Sequence, residues 1–122
     1  MDATFKTTEV SEKEETAGQH SSFINLHADR KNIKIPLDDI LFIESLKDYV
    51  KVVTINKSVV TKQTISSIEE ILPRNNFVRI HRSFIVAVNK IETFTSDLIE
   101  IARHELPISR MYRHEVEKVL KD

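Results

Sequence analysis

Three short clusters in this chain of 122 residues combine cations with hydroxyl, amide or aromatic groups at spacings that suit a polyanion. The first lies in Asn76 to Ile91, NFVRIHRSFIVAVNKI, where Arg79, His81 and Arg82 precede Ser83 and Asn89-Lys90 follows. Residues 73 to 91 hold three arginines, one lysine and no acid, although the whole chain is formally -1. Guanidinium forks match phosphate oxygens and guanine edges, so this local concentration suits a polyanion. The second cluster is Lys47-Asp48-Tyr49, continuing to Lys51. It offers a donor, an acceptor and a flat ring on one turn, a set that can enter a groove. The third is Ser109-Arg110-Met111-Tyr112-Arg113, at the start of a predicted helix. Cations there oppose the helix dipole at a cost of a few tenths to ~1 kcal/mol each. Arg110 and Arg113 therefore do not help that helix form. An anion held by the free amides and the Ser109 hydroxyl would remove the conflict.

Each cluster also has a plainer reading. Arg79 and Arg82 could solvate a strand face or pair with Glu44, Glu69 or Glu70, and Lys47-Asp48 could be an ordinary hairpin turn with Tyr49 packed on the sheet. Catalytic alternatives have little support. The five histidines show no spacing that gathers a metal, so neither a metal nor a cofactor is expected. Ser83 beside His81 is not a triad, since two residues apart on a strand they share a face without a directed hydrogen bond. The single glycine, Gly18, leaves the remaining chain without the close-approach loops of nucleotide-binding and hydrolase motifs. No catalytic residue is assigned, and an enzyme is not expected.

Composition bounds the rest. One domain with a modest core fits this length, and 40% hydrophobic with 30% charged residues is ordinary for a globular protein. No apolar run approaches a membrane span, and no basic-then-apolar signal opens the chain. Zero cysteines exclude disulfides and thiolate metal sites and fit a reducing cytoplasm, the expected location. Residues 1–20 hold five acids against two lysines with few large apolar groups, and read as a flexible acidic leader or interdomain linker. Residues 21–122 form the expected domain, with 16 Lys and Arg against 14 Asp and Glu, a balance of +2.

The elements that must carry the three clusters are mostly short strands. Alternation predicts Phe23–Ala28 and 33–37 as a hairpin turning at residues 29–32. Ile40–Leu46 and 49–55 form a second pair around Lys47-Asp48. Asn56-Lys57 turns into 59–63, with Asn56 accepting a positive φ. Further strands are expected over 86–94, 98–102 and 105–108, with turns at Ser96-Asp97 and Arg103-His104. Two segments have helical period: 64–72, stopping at Pro73, and 109–120, with Ser109 as N-cap and Tyr112, Val116, Val119 and Leu120 on its apolar face. Asp38-Asp39 reads as a turn or cap. The expected fold class is mainly β, with small antiparallel sheets and two short α-helices.

Taken together, IPLDDILFIESLKDYVKV, the helix ending in ILP, FVRIHRSFIVAVNKI and LPISRMYRHEV resemble the LytTR DNA-binding domain of bacterial transcription regulators. The resemblance covers about residues 22–120, and F-x-R-x-H-R-S-F-I-V is its most specific block. The chain departs from the family pattern at Ala87-Val88, where relatives often carry Asn-Leu. The resemblance implies an elongated arrangement of small sheets that reads successive grooves of duplex DNA with loops and turns. It implies DNA-facing roles for Lys47, Asp48 and Tyr49, for Arg82 with Ser83, and for Arg110 with Arg113. Arg79 and His81 belong to the motif and either could brace the loop instead. Lys51 and Ser109 complete the expected set. Implied partners are double-stranded DNA with direct repeats, a second copy on DNA, an upstream receiver domain and its histidine kinase. The expected function is sequence-specific DNA binding as the output domain of a two-component response regulator. The alternative is a protein-protein interaction module whose strand edges bind a signalling partner, with RNA binding behind it because aromatic platforms are few.

Overall fold

Strands buried on both faces read as nearly unbroken apolar runs, and the runs ILFI, FVRI and FIVA all belong to such strands here. They lie in a five-stranded antiparallel sheet at the centre of the computed structural model, which describes residues 22–121. Its strands are β3 (Ile40–Leu46), β4 (Tyr49–Thr54), β5 (Ser58–Thr61), β6 (Phe77–His81) and β7 (Phe84–Ala87), in the order β5-β4-β3-β7-β6. A hairpin of β1 (Phe23–Ala28) and β2 (Lys31–Pro36) precedes them. A three-stranded sheet of β8 (Thr93–Phe94), β9 (Leu98–Ile101) and β10 (His104–Pro107) follows. Helix α1 (Ile65–Ile71) links β5 to β6, and α2 (Arg110–Leu120) follows β10. The fold is mainly β with small antiparallel sheets and two helices, as expected.

Side chains alternate between two cores, one on each side of the central sheet. Ile43, Val50, Val52, Ile85 and Phe77 pack with Leu26 and Ile35 of the first hairpin and with Ile65 and Ile68 of α1. Phe42, Val78, Ile80 and Val86 pack instead with Ile99, Ile101 and Leu106 of the second sheet and with Val116 of α2. Tyr112, Val119 and Leu120 join this second core, so the apolar face expected of the last helix is the one that packs. The expected leader over residues 1–20 lies outside the described residues.

Several turns differ from expectation, each for a local reason. Asn56 does not take a positive φ. The Thr54 hydroxyl instead accepts from the Lys57 amide at 3.1 Å and donates to the Lys57 carbonyl at 2.8 Å, closing the turn without left-handed backbone. The first hairpin turns on Asp29 and Arg30 alone, at φ 53° and 63°. The last turn falls on Ala102 and Arg103, at φ 47° and 69°, so His104 begins β10. Inward placement of Ile99, Ile101 and Leu106 sets that register, and it leaves the tip two residues without glycine or asparagine. Residues 86–94 are not one strand. β7 ends at Ala87, a 3-10 turn spans Val88–Lys90, and only Thr93–Phe94 pairs again. Leu37–Asp39 is likewise a 3-10 turn, as the Asp38-Asp39 reading anticipated.

Candidate nucleic-acid interface

Sheet register brings the three clusters to one end of the central sheet. β3 pairs β7 with Glu44 opposite Phe84, so the β3–β4 turn and the β6–β7 turn emerge side by side. The Ser45 amide donates to the Ser83 carbonyl at 2.8 Å and joins the two turns directly. The third cluster is tied in through a bulge. Arg79 pairs Ile85 and His81 pairs Phe84, which leaves Ile80 between them as an extra residue. Its side chain stays buried, and its carbonyl accepts the Ser109 amide at 2.9 Å. The bulge thus docks the start of α2 beside the basic turn.

At the first turn Lys47 and Asp48 are exposed, with Lys47 at φ 56°, and Tyr49 is exposed as well. Tyr49 is therefore not packed into the sheet. Lys51 lies on the sheet face, 3.8 Å from Glu44, its cross-strand partner. At the second turn Arg82 is exposed and Ser83 half-buried. Nδ1 of His81 accepts the Ser83 amide at 3.0 Å, and the ring packs against Phe84 with centroids 5.6 Å apart. Phe84 leans in turn on Phe42 at 6.5 Å. His81 therefore closes the turn from inside. Arg79 is turned inward too, with hydrogen bonds to the His81 and Arg82 carbonyls and to Glu69. At the third cluster Ser109 occupies the N-cap of α2, but its side chain makes no cap hydrogen bond.

Arg110 and Arg113 part company on α2. Arg110 is exposed and forms no ion pair with a described residue. Arg113 points to the β8–β9 turn, where Nη2 donates to Asp97 Oδ1 at 2.7 Å, and its Nε is buried with no partner among the described residues. Sequence reading missed three features of this end. Met111, 83% exposed, sits next to Arg110 at the head of the helix. Lys62 follows Thr61, whose register partner is Val50, and so lies exposed near Tyr49. The Thr61 hydroxyl donates to the His27 carbonyl at 2.7 Å, drawing the first hairpin alongside. For Met111 the signal was available, since it falls off the apolar period of α2. For Lys62 it was not, because strand register is required to place it.

The opposite end of the sheet is built differently. There the Ile55 amide donates to the Asp39 carbonyl at 2.9 Å, and Lys90 Nζ donates to the Asp38 carbonyl, so the lysine is committed to backbone. Among the described residues no helix is long and apolar enough to cross a membrane, and no group of three or more His, Asp or Glu could hold a metal.

Residues 30–121 match the family model described as the LytTr DNA-binding domain. The Bacillus anthracis sensory transduction protein LytT is 29% identical over 119 residues, covering 93% of this chain and 48% of that protein. The Escherichia coli K12 transcriptional regulatory protein YpdB is 36% identical over 76 residues, 62% of this chain and 31% of YpdB. The chain thus spans about half the length of LytT or less of these relatives. A solved LytTr DNA-binding domain of a putative methyl-accepting/DNA response regulator from Bacillus cereus superposes with TM-score 0.73 at 26% identity. That match covers 84% of this chain and 99% of the other.

Proposed function

The chain belongs to the LytTR DNA-binding domain family, and from that premise we propose that it binds double-stranded DNA sequence-specifically as the output domain of a bacterial response regulator. The observation that carries this reading is the convergence of two exposed turns and the head of α2 on one end of the sheet through the Ser45–Ser83 and Ser109–Ile80 backbone bonds. Turns on a common end can enter neighbouring grooves of one duplex without a recognition helix. Arg82 and Arg110 are the base-reading side chains, since both residues are exposed, neither forms an ion pair with a described residue, and bidentate contact with guanine needs an uncommitted fork. Lys47 and Lys62 neutralise phosphates, with Lys51 behind them sharing its charge with Glu44. Met111 supplies an apolar contact of the kind that packs on a thymine methyl. Tyr49, Asp48 and the Ser83 and Ser109 hydroxyls set the remaining polar contacts.

A balance of +2 over residues 21–122 is low for a DNA binder, so affinity rests on a few placed contacts and is modest for a single copy. Two copies on direct repeats would supply the rest, and an upstream receiver with its histidine kinase would control them in the cytoplasm. Selection of bound fragments from sheared genomic DNA, followed by gel shift of the winners, tests the reading. Recovery of a recurrent sequence whose duplex shifts, and which single-stranded competitor fails to displace, is the expected result. If no fragment is enriched while the chain captures a protein partner, the interaction-module alternative takes its place.

A further inference from the structure

Arg79 belongs to the basic segment by sequence, yet its side chain is only 11% exposed. All three guanidinium nitrogens are committed. Nε donates to the His81 carbonyl at 2.8 Å and Nη2 to the Arg82 carbonyl at 2.7 Å. Nη1 donates to Glu69 Oε1 on α1 at 2.6 Å, and the Tyr112 ring of α2 lies 5.7 Å from the guanidinium carbon. One planar cation thus meets α1, the β6–β7 turn and the first turn of α2. Its two carbonyl acceptors flank the start of the turn that carries Arg82. Those carbonyls sit at the bulge and the turn, where the strand ladder is interrupted. A fork with fixed donor directions can hold both at once, whereas a lysine ammonium is a point charge on a flexible stem.

We infer that Arg79 is a positioning residue for DNA binding, holding the Arg82 turn and the head of α2 in register with Glu69 as its anchor, and does not itself touch DNA. The inference rests on the duplex-DNA reading above. The expected effect of removing Glu69 has an unusual sign. Removing an acid near a DNA-binding surface normally favours a polyanion, because long-range repulsion falls. Here Glu69→Ala should weaken binding, since the freed guanidinium can swing away from the two carbonyls. Glu69 is on the exposed side of α1 and alanine is a good helix former, so the fold is expected to survive.

The test is fluorescence anisotropy of the full chain on a labelled duplex carrying the strongest fragment from the genomic selection. Parent, Glu69→Ala, Arg79→Lys and the double variant are compared, each first checked for a cooperative melt. Glu69→Ala and Arg79→Lys are each expected to bind tenfold or more weakly. The double variant should be no weaker than Arg79→Lys alone, because both changes release the same clamp. Glu69→Ala binding as tightly as the parent or tighter overturns the inference, as does full affinity in Arg79→Lys, which a simple phosphate contact would allow. Either result leaves the DNA reading standing on the parent's binding. A parent that binds no duplex removes the DNA reading itself, and this inference with it.

Discussion

Four arginines near the proposed interface divide by what already occupies their guanidinium groups. Arg79 and Arg113 are engaged with Glu69 and Asp97, while Arg82 and Arg110 are exposed with no ion pair to a described residue. An exposed ion pair such as Arg113–Asp97 contributes about 0–1 kcal/mol, so its value lies in fixing α2 against the β8–β9 turn. Arg110→Ala should weaken the specific site by ~1–3 kcal/mol and relax preference at one or two base positions. Arg113→Ala should leave base preference intact and change the salt slope by well under the ~0.9 expected for a lost phosphate contact. Anisotropy on specific and scrambled duplexes at several salt concentrations separates the two. Equal effects of both substitutions would mean that the Asp97 pair opens on DNA. Sequence alone made both arginines DNA-facing, because the partner that separates them, Asp97, lies sixteen residues before Arg113 in the β8–β9 turn.

Elements hold these side chains through packing that sequence period revealed well and through turn geometry that it revealed less well. Ile85 is buried in the first core and Phe84 packs on Phe42 and His81. Ile85→Ala should cost about 2–5 kcal/mol, and the melting temperature should fall by roughly 10 °C or more. An unchanged melt would contradict the alignment of β7. The Thr54 hydroxyl, buried and bonded to both amide and carbonyl of Lys57, predicts a loss of about 1–3 kcal/mol for Thr54→Val, measurable as a lower urea midpoint. This turn shows why some features were illegible. Asn56 looked like the left-handed residue by type, but a threonine two places earlier satisfied the same backbone groups. The Ala102-Arg103 turn carries no turn-forming residue type at all, so only the inward register of its flanking strands could locate it. The bulge at Ile80 likewise has no local marker, though its carbonyl is the one that receives the Ser109 amide at the head of α2.

Across the whole molecule, the two sides of the central sheet are both covered, and its two ends differ. One end gathers the exposed turns. The other takes the incoming chain, where the Leu37 amide donates to the Ser22 carbonyl at 3.0 Å. Deleting residues 1–20 should therefore leave the melting temperature nearly unchanged and DNA affinity unchanged or slightly better, since net acid is removed. A large loss of folding would instead assign those residues a structural strand. The sheet's polarity also provides the most direct test of duplex binding by the two turns and the head of α2 together. Amide hydrogen exchange should be followed by mass spectrometry with and without the selected duplex. Added protection is expected at residues 46–49, 81–84 and 109–112, with 37–39, 55–57 and 88–90 unaffected. Protection confined to the second set, or to the edge of β5 alone, would contradict it.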